Sequence, residues 1–269
     1  MDSKKYEKMI EINPYVIKSI ENPTEEMKLL AVSRNGLVLQ YIDAPSRQMQ
    51  EIAVANTARA IQFIADPAEE LLEKAVSMGW NNLEYIKDPS DKLIRMALTQ
   101  SGWAIKYVPD PSEELQLLAV SKNFDAIKYI DNPSQKVQDA AARLNYRALQ
   151  YIQSPTLQTK CTAVKTSEQA LQLMSNVTKE QFLTFLGINI LVIKYIPRNI
   201  AITTEEIKEV LQRVLSREDV DEDYVRNYVN SGAIDTFTGM MPLAKLMFIY
   251  ETGSKKTKKI TVDERLKTN

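Results

Sequence analysis

Histidine is absent from this 269-residue chain, and cysteine occurs once. The lack of histidine excludes Ser-His and Cys-His nucleophile pairs, histidine-ligated zinc and the commonest general base. The single Cys161 cannot form an internal disulfide, which is typical of proteins in a reducing compartment. Glycine is scarce at 7 residues, and the sequence contains no phosphate-binding loop, no GxSxG motif and no metal-ligand cluster. These absences predict a protein that is not an enzyme and that uses no cofactor or metal.

Long hydrophobic runs and an excess of one charge are also missing. No stretch reaches the roughly 18 apolar residues that a membrane helix needs. The first residues lack the apolar core of a signal peptide. Lys and Arg total 34 and Asp and Glu total 35, so a net charge of −1 gives no overall attraction to nucleic acid. We expect a cytoplasmic protein that makes no membrane contact.

Proline, in contrast, recurs at a constant spacing of 22 residues. With proline near 5% of residues, six successive recurrences at a preset spacing have a chance of roughly 10⁻⁸. Alanine always stands eight residues after these prolines, and a Tyr-Ile type pair precedes almost all of them. The repeated prolines are Pro23, Pro45, Pro67, Pro89, Pro111, Pro133 and Pro155. This period predicts an all-α solenoid of two-helix repeats, with about nine units over residues 1–197.

The segment from Asp110 to Glu114 illustrates the predicted start of a repeat. Asp110 is suited to the N-cap and Pro111 to the first helical position. About twelve residues into a unit, Asn or Gly indicates a left-handed residue that ends the first helix. These residues are Asn35, Gly36, Gly79, Gly102, Asn123 and Asn145. The second helix ends before the next proline, because the residue before a proline disfavours α geometry. We therefore predict a first helix of about 11 residues, a second of about 7, and a core formed by the repeated columns, tyrosines included.

The intact unit at residues 110–130 reads Asp-Pro-Ser-Glu-Glu-Leu, then Ala-Val, then Asn, then Ala-Ile-Lys-Tyr-Ile. It resembles the short, proline-phased helical repeats of bacterial, phage and large-virus proteins, which form a domain-of-unknown-function family. The resemblance covers about residues 20–174. It implies a helical repeat array in a bacterium or an infected host cell, with no known activity and no functional residues to transfer. The units at 157–174 and 178–196 depart from the pattern by losing the proline.

The period ends at Pro197, and the rest of the chain has a different character. Residues 198–252 show three amphipathic segments, which predict a helical bundle that caps the solenoid. Residues 253–269 are rich in lysine and predict a basic, disordered tail. The alternative for this tail is an arm that contacts nucleic acid or an acidic protein.

Candidate binding residues lie where the repeats differ from one another, at the turn between the two helices. Trp and Tyr are enriched at binding hot spots, as is Arg. The alternative is that these rings only cover the turn and pack on the next repeat. The predicted partner-binding residues are Arg59, Trp80, Trp103, Phe124, Tyr146 and Arg147.

A second row is polar in every unit and is predicted to face water. Its members are Gln40, Gln62, Glu84, Lys106, Lys128, Gln150, Gln172 and Lys194. A row of Lys and Gln could follow a phosphate backbone, as in helical repeats that read bases, although Glu84 and the overall neutrality oppose this.

The leading functional hypothesis is a protein-binding scaffold, in its most specific form a phage- or bacterium-encoded inhibitor that sequesters or blocks a host protein complex. Two alternatives stay open: a nucleic-acid-binding repeat protein and a structural, self-assembling component.

Overall fold

The computed structural model describes residues 3–197, 200–236 and 239–268. Over these residues the protein is an all-α helical-repeat solenoid, as predicted. The same residues contain no β-strand, although an isolated bridge joins Ile234 and Met241. The predicted boundary after Pro197 borders residues 198–199, which lie outside the described residues.

Each repeat consists of an α-helix followed by a 3₁₀ helix, and repeat n is formed by αn and ηn. The α-helices are α1 (Ser3–Ile12), α2 (Glu25–Arg34), α3 (Arg47–Asn56), α4 (Glu69–Met78), α5 (Asp91–Gln100), α6 (Glu113–Lys122), α7 (Gln135–Leu144), α8 (Leu157–Thr166) and α9 (Lys179–Ile188). The 3₁₀ helices are η1 (Pro14–Ser19), η2 (Gly36–Tyr41), η3 (Ala58–Phe63), η4 (Trp80–Tyr85), η5 (Gly102–Tyr107), η6 (Phe124–Tyr129), η7 (Tyr146–Tyr151), η8 (Glu168–Leu173) and η9 (Ile190–Tyr195). The first helix is thus 10 residues long, and the second is a 3₁₀ helix of 6 residues rather than an α-helix of about 7.

The start of each α-helix differs from the prediction. In α6 the N-cap is Ser112, whose hydroxyl accepts a hydrogen bond from the Leu115 amide at 3.4 Å. Pro111 precedes the cap, and Asp110 adopts a left-handed conformation with φ of 43°. Asp110 therefore does not cap the helix. It lies in the turn between η5 and α6, where its left-handed conformation reverses the direction of the chain.

The left-handed residues also lie elsewhere than predicted. Asn123, after α6, is extended with φ of −140°, and Gly79 is extended with φ of 171°. Other asparagines at this position, among them Asn35, Asn145 and Asn189, instead cap the following 3₁₀ helix. Asn145 Oδ1, for example, accepts a hydrogen bond from the Arg147 amide at 2.9 Å. Positive φ instead occurs at residues that directly precede a proline or, in one case, Val177 at the equivalent position. These residues are Ala44, Asp88, Asp110, Asn132 and Asn176.

Two compact units make up the chain, one ending at Asp131 and the other beginning at Asn132. In the first unit, α1 to α6 pack in order, each on the next, and η1 to η6 do the same. In the second unit, α7 to α9 and η7 to η9 pack in the same way. Each unit therefore has the nearest-neighbour packing that defines a repeat protein.

The alanine column lies where these helices meet. All seven members have no exposed surface: Ala31, Ala53, Ala75, Ala97, Ala119, Ala141 and Ala163. Polar side chains at the ends of α-helices add bonds to the preceding repeat. Gln100 Nε2 donates to the Val76 carbonyl at 2.7 Å, and Asn56 Nδ2 donates to the Ser33 carbonyl at 2.9 Å. A larger residue in the alanine column would force neighbouring repeats apart.

Within residues 200–236 and 239–268, four helices follow the last repeat: α10 (Thr204–Leu215), α11 (Glu222–Asn230), α12 (Lys245–Thr252) and α13 (Lys255–Thr268). The first of them packs on α9 and begins with a capping box between Thr203 and Glu206. Lys179 of α9 donates to Glu206 at 2.8 Å. This hydrogen bond, followed by the one from the Thr203 amide, lowers the pKa of Glu206 to about 2. The start of α10 is thus linked to the last repeat.

The expected disorder of residues 253–269 is corrected by the structure. Residues 255–268 form α13, which packs on α11. The buried Thr257 hydroxyl donates to the Leu215 carbonyl at 2.7 Å, and Glu264 is joined to both Arg226 and Asn230. These bonds order the segment, since they satisfy polar groups from two other helices. Asn269 lies outside the described residues.

The outer surface of α12 and α13 carries large apolar side chains. Tyr250 is 74% exposed and Leu266 is 72% exposed. The others are Leu246, Met247 and Val262. None of the helices in the described ranges has both the length and the apolar character of a membrane span.

Candidate partner-binding surface

The predicted binding residues occupy the first two positions of the 3₁₀ helices. At the first position, Trp80, Phe124 and Tyr146 are half-buried, because this position faces the neighbouring repeat. At the second position, Arg59, Trp103 and Arg147 are exposed. Four of the six lie in the first unit, whereas Tyr146 and Arg147 lie in the second.

The two tryptophans are brought together. The Trp80 and Trp103 ring centroids are 6.4 Å apart, with the planes at 66°, an edge-to-face arrangement. Tyr107 joins them, since its centroid lies 6.3 Å from that of Trp80. Trp103 remains 38% exposed. The indole Nε1 of Trp103 donates to Asp125 Oδ1 at 2.8 Å, which fixes the ring relative to the next repeat.

Two lysines of the polar row lie over these rings. Lys106 Nζ is 4.4 Å from the Tyr107 centroid and 5.6 Å from the Trp80 centroid. Lys128 Nζ is 5.6 Å from the Trp103 centroid. These distances are those of cation–π contacts. Trp80, Trp103, Lys106, Tyr107 and Lys128 together form what we call the aromatic–lysine surface.

Hydrogen bonds fix the positions of the polar groups in the aromatic–lysine surface. Lys128 Nζ donates to Asp125 Oδ2 at 3.2 Å, and this bond is the main cause that raises the pKa of Lys128. The pKa of Lys106 is also raised, chiefly by a hydrogen bond with the Tyr107 side chain. Tyr107 in turn donates its hydroxyl to Glu84 Oε2 at 3.2 Å. Both lysines therefore stay positively charged at neutral pH beside aromatic rings that are half-buried or, for Trp103, partly exposed.

Tyr146 and Arg147 form a smaller contact in the second unit. The Arg147 guanidinium carbon lies 6.0 Å from the Tyr146 ring centroid. The Tyr146 hydroxyl donates to Gln169 Oε1 at 2.6 Å. This pair repeats the stacking of a cation on an aromatic ring, with arginine in place of lysine.

The tyrosine column that precedes the prolines is not core, contrary to the prediction. Tyr41 is 42% exposed and Tyr129 is 41% exposed. Their rings lie along the outer side of the 3₁₀ helices, next to the polar row, which is exposed in every repeat as predicted. The sequence signal for this exposure was the tyrosine hydroxyl. Phenylalanine would fill a core equally well, so a repeated tyrosine indicates a position where the end of the ring reaches water. Tyr107 and Asp125 were therefore missed as candidate binding residues, whereas Lys106 and Lys128 belong to the polar row that the sequence offered as a second candidate.

Equivalent grooves recur between repeats. The first groove, of about 470 Å³, includes Ile61, Asp66 and Tyr85 in its lining. The second, of about 510 Å³, includes Ile105, Asp110 and Tyr129. Every lining residue of the second groove is 44 positions, or two repeats, after its counterpart in the first. A third groove of about 320 Å³ in the second unit lies 66 positions, or three repeats, further along.

A row of carboxylates follows the grooves of the first unit. In six successive repeats, an exposed acidic residue stands one or two positions before the proline. These residues are Glu21, Asp43, Asp66, Asp88, Asp110 and Asp131. A phosphate backbone that ran along the neighbouring Lys and Gln row would pass these negative charges, which opposes nucleic-acid binding.

No group of three or more Cys, Asp and Glu residues in the described ranges could hold a metal ion. Cys161 is half-buried, and burial is the main cause that raises the pKa of its thiol. A thiol of raised pKa is a poor nucleophile.

Comparisons with protein-family models, with curated proteins and with solved structures give no significant match. The resemblance to the proline-phased repeats stays a prediction.

Proposed function

We propose that this protein is a non-enzymatic scaffold that binds another protein through the 3₁₀-helix side of its first unit. The observation that carries the proposal is the packing of Trp80 on Trp103 and Tyr107 beneath two lysines, with part of the indole of Trp103 left exposed. Rings fixed before binding lose little side-chain entropy on association. Aromatic and cationic groups at the centre of a patch are typical of hot spots.

A finer form of the proposal concerns the biological setting. The resemblance to repeats of bacterial, phage and large-virus proteins supports an inhibitor that sequesters or blocks a host protein complex in the cytoplasm. A ready-made surface suits this task, because it needs no partner-induced folding.

The test uses a library of random peptides displayed on phage and selected on the full chain. Peptides that bind the wild type are expected to lose at least tenfold in affinity for the Trp80→Ala/Trp103→Ala variant. The reason is that this variant removes the half-buried ring of Trp80 and the partly exposed indole of Trp103, which is hydrogen-bonded to Asp125. Affinity is measured by fluorescence anisotropy with synthetic copies of the selected peptides.

Tyr250→Ala is the matched control, since it removes an aromatic ring that is 74% exposed but lies on α12. It should leave the affinity unchanged. Circular dichroism confirms that each variant keeps its helix content. Selected peptides that bound the double variant as tightly as the wild type would place the binding surface elsewhere and refute the proposal.

The nucleic-acid alternative has two lysines of the polar row in its favour, Lys106 and Lys128. Affinity for single-stranded oligonucleotides that falls steeply with salt would support it. The row of carboxylates beside the grooves makes the protein-binding proposal the better supported of the two.

A further inference from the structure

We infer that the first and second grooves take one extended peptide segment, which places a long apolar side chain in the first groove and a Lys or Arg side chain in the second, six residues apart. The inference rests on the proposed protein-binding function and specifies its ligand. It follows from the spacing of the grooves, their linings and their charges.

The spacing selects an extended chain. Packed helices lie about 8–10 Å apart, so grooves two repeats apart are separated by roughly 16–20 Å. An extended strand rises about 3.3 Å per residue, so six residues span about 20 Å. A polyproline II segment rises about 3.1 Å per residue, so six residues span about 19 Å. Six is also a multiple of both side-chain periods, 2 for a strand and 3 for polyproline II, so the two side chains emerge on the same face.

The first groove suits an apolar side chain. Ile61, Ile64 and Ile86 form a buried floor, and Leu72 and Tyr85 border it. Its two charged lining residues, Asp66 and Lys87, have opposite signs. The groove thus offers apolar contact and no net charge.

The second groove has the same apolar floor but different charges. Asp110 and Asp131 both line it and are exposed. Its single lysine, Lys106, is already engaged by the rings of Tyr107 and Trp80 at 4.4 and 5.6 Å. Tyr129 borders the groove and can pack on the methylene stem of a long cationic side chain. The net charge therefore favours Lys or Arg.

The test measures the affinity of labelled 13-residue peptides for the full chain by fluorescence anisotropy. The probes carry Leu and Arg at positions 4 and 10, in both orders, in a background of Ser, Ala and Pro. Replacing Arg by Glu should weaken the better probe at least tenfold. Moving Arg by one residue should have a similar effect, because a five-residue spacing turns the side chains to opposite faces of a strand.

Variants of the second groove give an independent readout. Asp110→Asn/Asp131→Asn should lower the affinity for the better probe about tenfold and leave the Glu probe no weaker. Asparagine is tolerated at position 110, since Asn132 and Asn176 hold the equivalent left-handed conformation. Asp43→Asn is the matched control, because Asp43 belongs to the same acidic row but lines neither groove.

Three results would overturn the inference: equal binding of the Arg and Glu probes, no binding of either Arg probe, or tighter binding of a helical probe with its two side chains eleven residues apart. The proposed function would survive any of them if the library-selected peptides still depended on Trp80 and Trp103. Loss of that dependence would refute the proposed function itself.

Discussion

Gly102 lies where the backbone of the next repeat comes closest. A Cβ added there would be 2.1 Å from the carbonyl oxygen of Ala119. The Gly102 amide also donates to Asn123 Oδ1 at 2.8 Å, which draws the two repeats together. Gly36 repeats the arrangement, with 2.2 Å to the carbonyl oxygen of Ala53.

Gly102→Ala is therefore expected to destabilise the protein by about 1–3 kcal/mol, since backbone rather than a flexible side chain must move. The midpoint of urea denaturation measures the loss. Gly232→Ala serves as the control, because a Cβ at Gly232 meets no atom within 4 Å. Equal midpoints for the two variants would contradict the predicted clash.

At this scale the sequence predicted the apolar residues well and the polar contacts poorly. The alanine column is buried throughout because a repeated small residue has one physical use, the close approach of helices. Trp80 and Trp103 could be predicted only as separate candidates, and Tyr107 was not predicted as one. Their contacts depend on ring orientations between repeats, which no column of the sequence encodes.

At the scale of elements, the α-helices of the proline-phased repeats share a side-chain N-cap, and among them only α4 lacks it. Hydroxyl side chains occupy the N-cap in α2, α3 and α5 to α9, and each accepts a hydrogen bond from the helix. In α4 the N-cap is Ala68, which makes no side-chain cap bond.

Ala68→Ser is expected to stabilise the protein by about 0.5–2 kcal/mol, because serine satisfies an amide at the start of α4. Ser90→Ala, the reciprocal change at α5, should destabilise it by a similar amount. Hydrogen exchange of the first-turn amides of α4 and α5 measures both effects locally. A serine at position 68 that left exchange in α4 unchanged would show that the cap does not form.

The position of the N-cap was predicted wrongly. The prediction took the Asp or Asn before the proline as the N-cap, whereas the N-cap in the structure is the residue after the proline, Ser112 in α6. Sequence alone did not decide between them, because the choice depends on the left-handed residue that reverses the chain, as at Asp110. The existence and spacing of the helices, in contrast, followed directly from the 22-residue period.

On the scale of the whole molecule, the exposed apolar surface of α12 and α13 bears on self-assembly. Lys258, Val262 and Leu266 are spaced four residues apart on one side of α13, and Lys258 Nζ lies 5.6 Å from the Tyr250 centroid. Tyr250 thus lies beside the first residue of the side of α13 that carries Val262 and Leu266. A large contiguous apolar surface on a protein commonly marks an interaction site.

If this surface pairs with a second copy, the mass measured by light scattering should rise with protein concentration. Tyr250→Ser/Leu266→Ser should then keep the mass of a single chain over the same range. Leu144→Ser provides a control, since Leu144 is 55% exposed but lies on α7. A wild type that stayed a single chain at every concentration would argue against the self-assembling alternative.

The order of α13 could not be predicted from the sequence, for a reason that applies to the whole chain. A lysine-rich segment resembles a disordered tail when it is considered alone. Its order depends on the Leu215 carbonyl and on Arg226, which lie far away in sequence. Long-range polar contacts of this kind have no period and leave no local signature.

The constant length of the repeats has a genetic consequence. Because the units follow one another without insertion or deletion, recombination between misaligned copies would remove or add a multiple of 22 codons and still join the chain in phase. Each junction would reunite the same buried columns, while the distance between the grooves would change by whole repeats. A gene of this form can lengthen or shorten the repeat array, and with it the proposed binding surface, while every repeat keeps the same core.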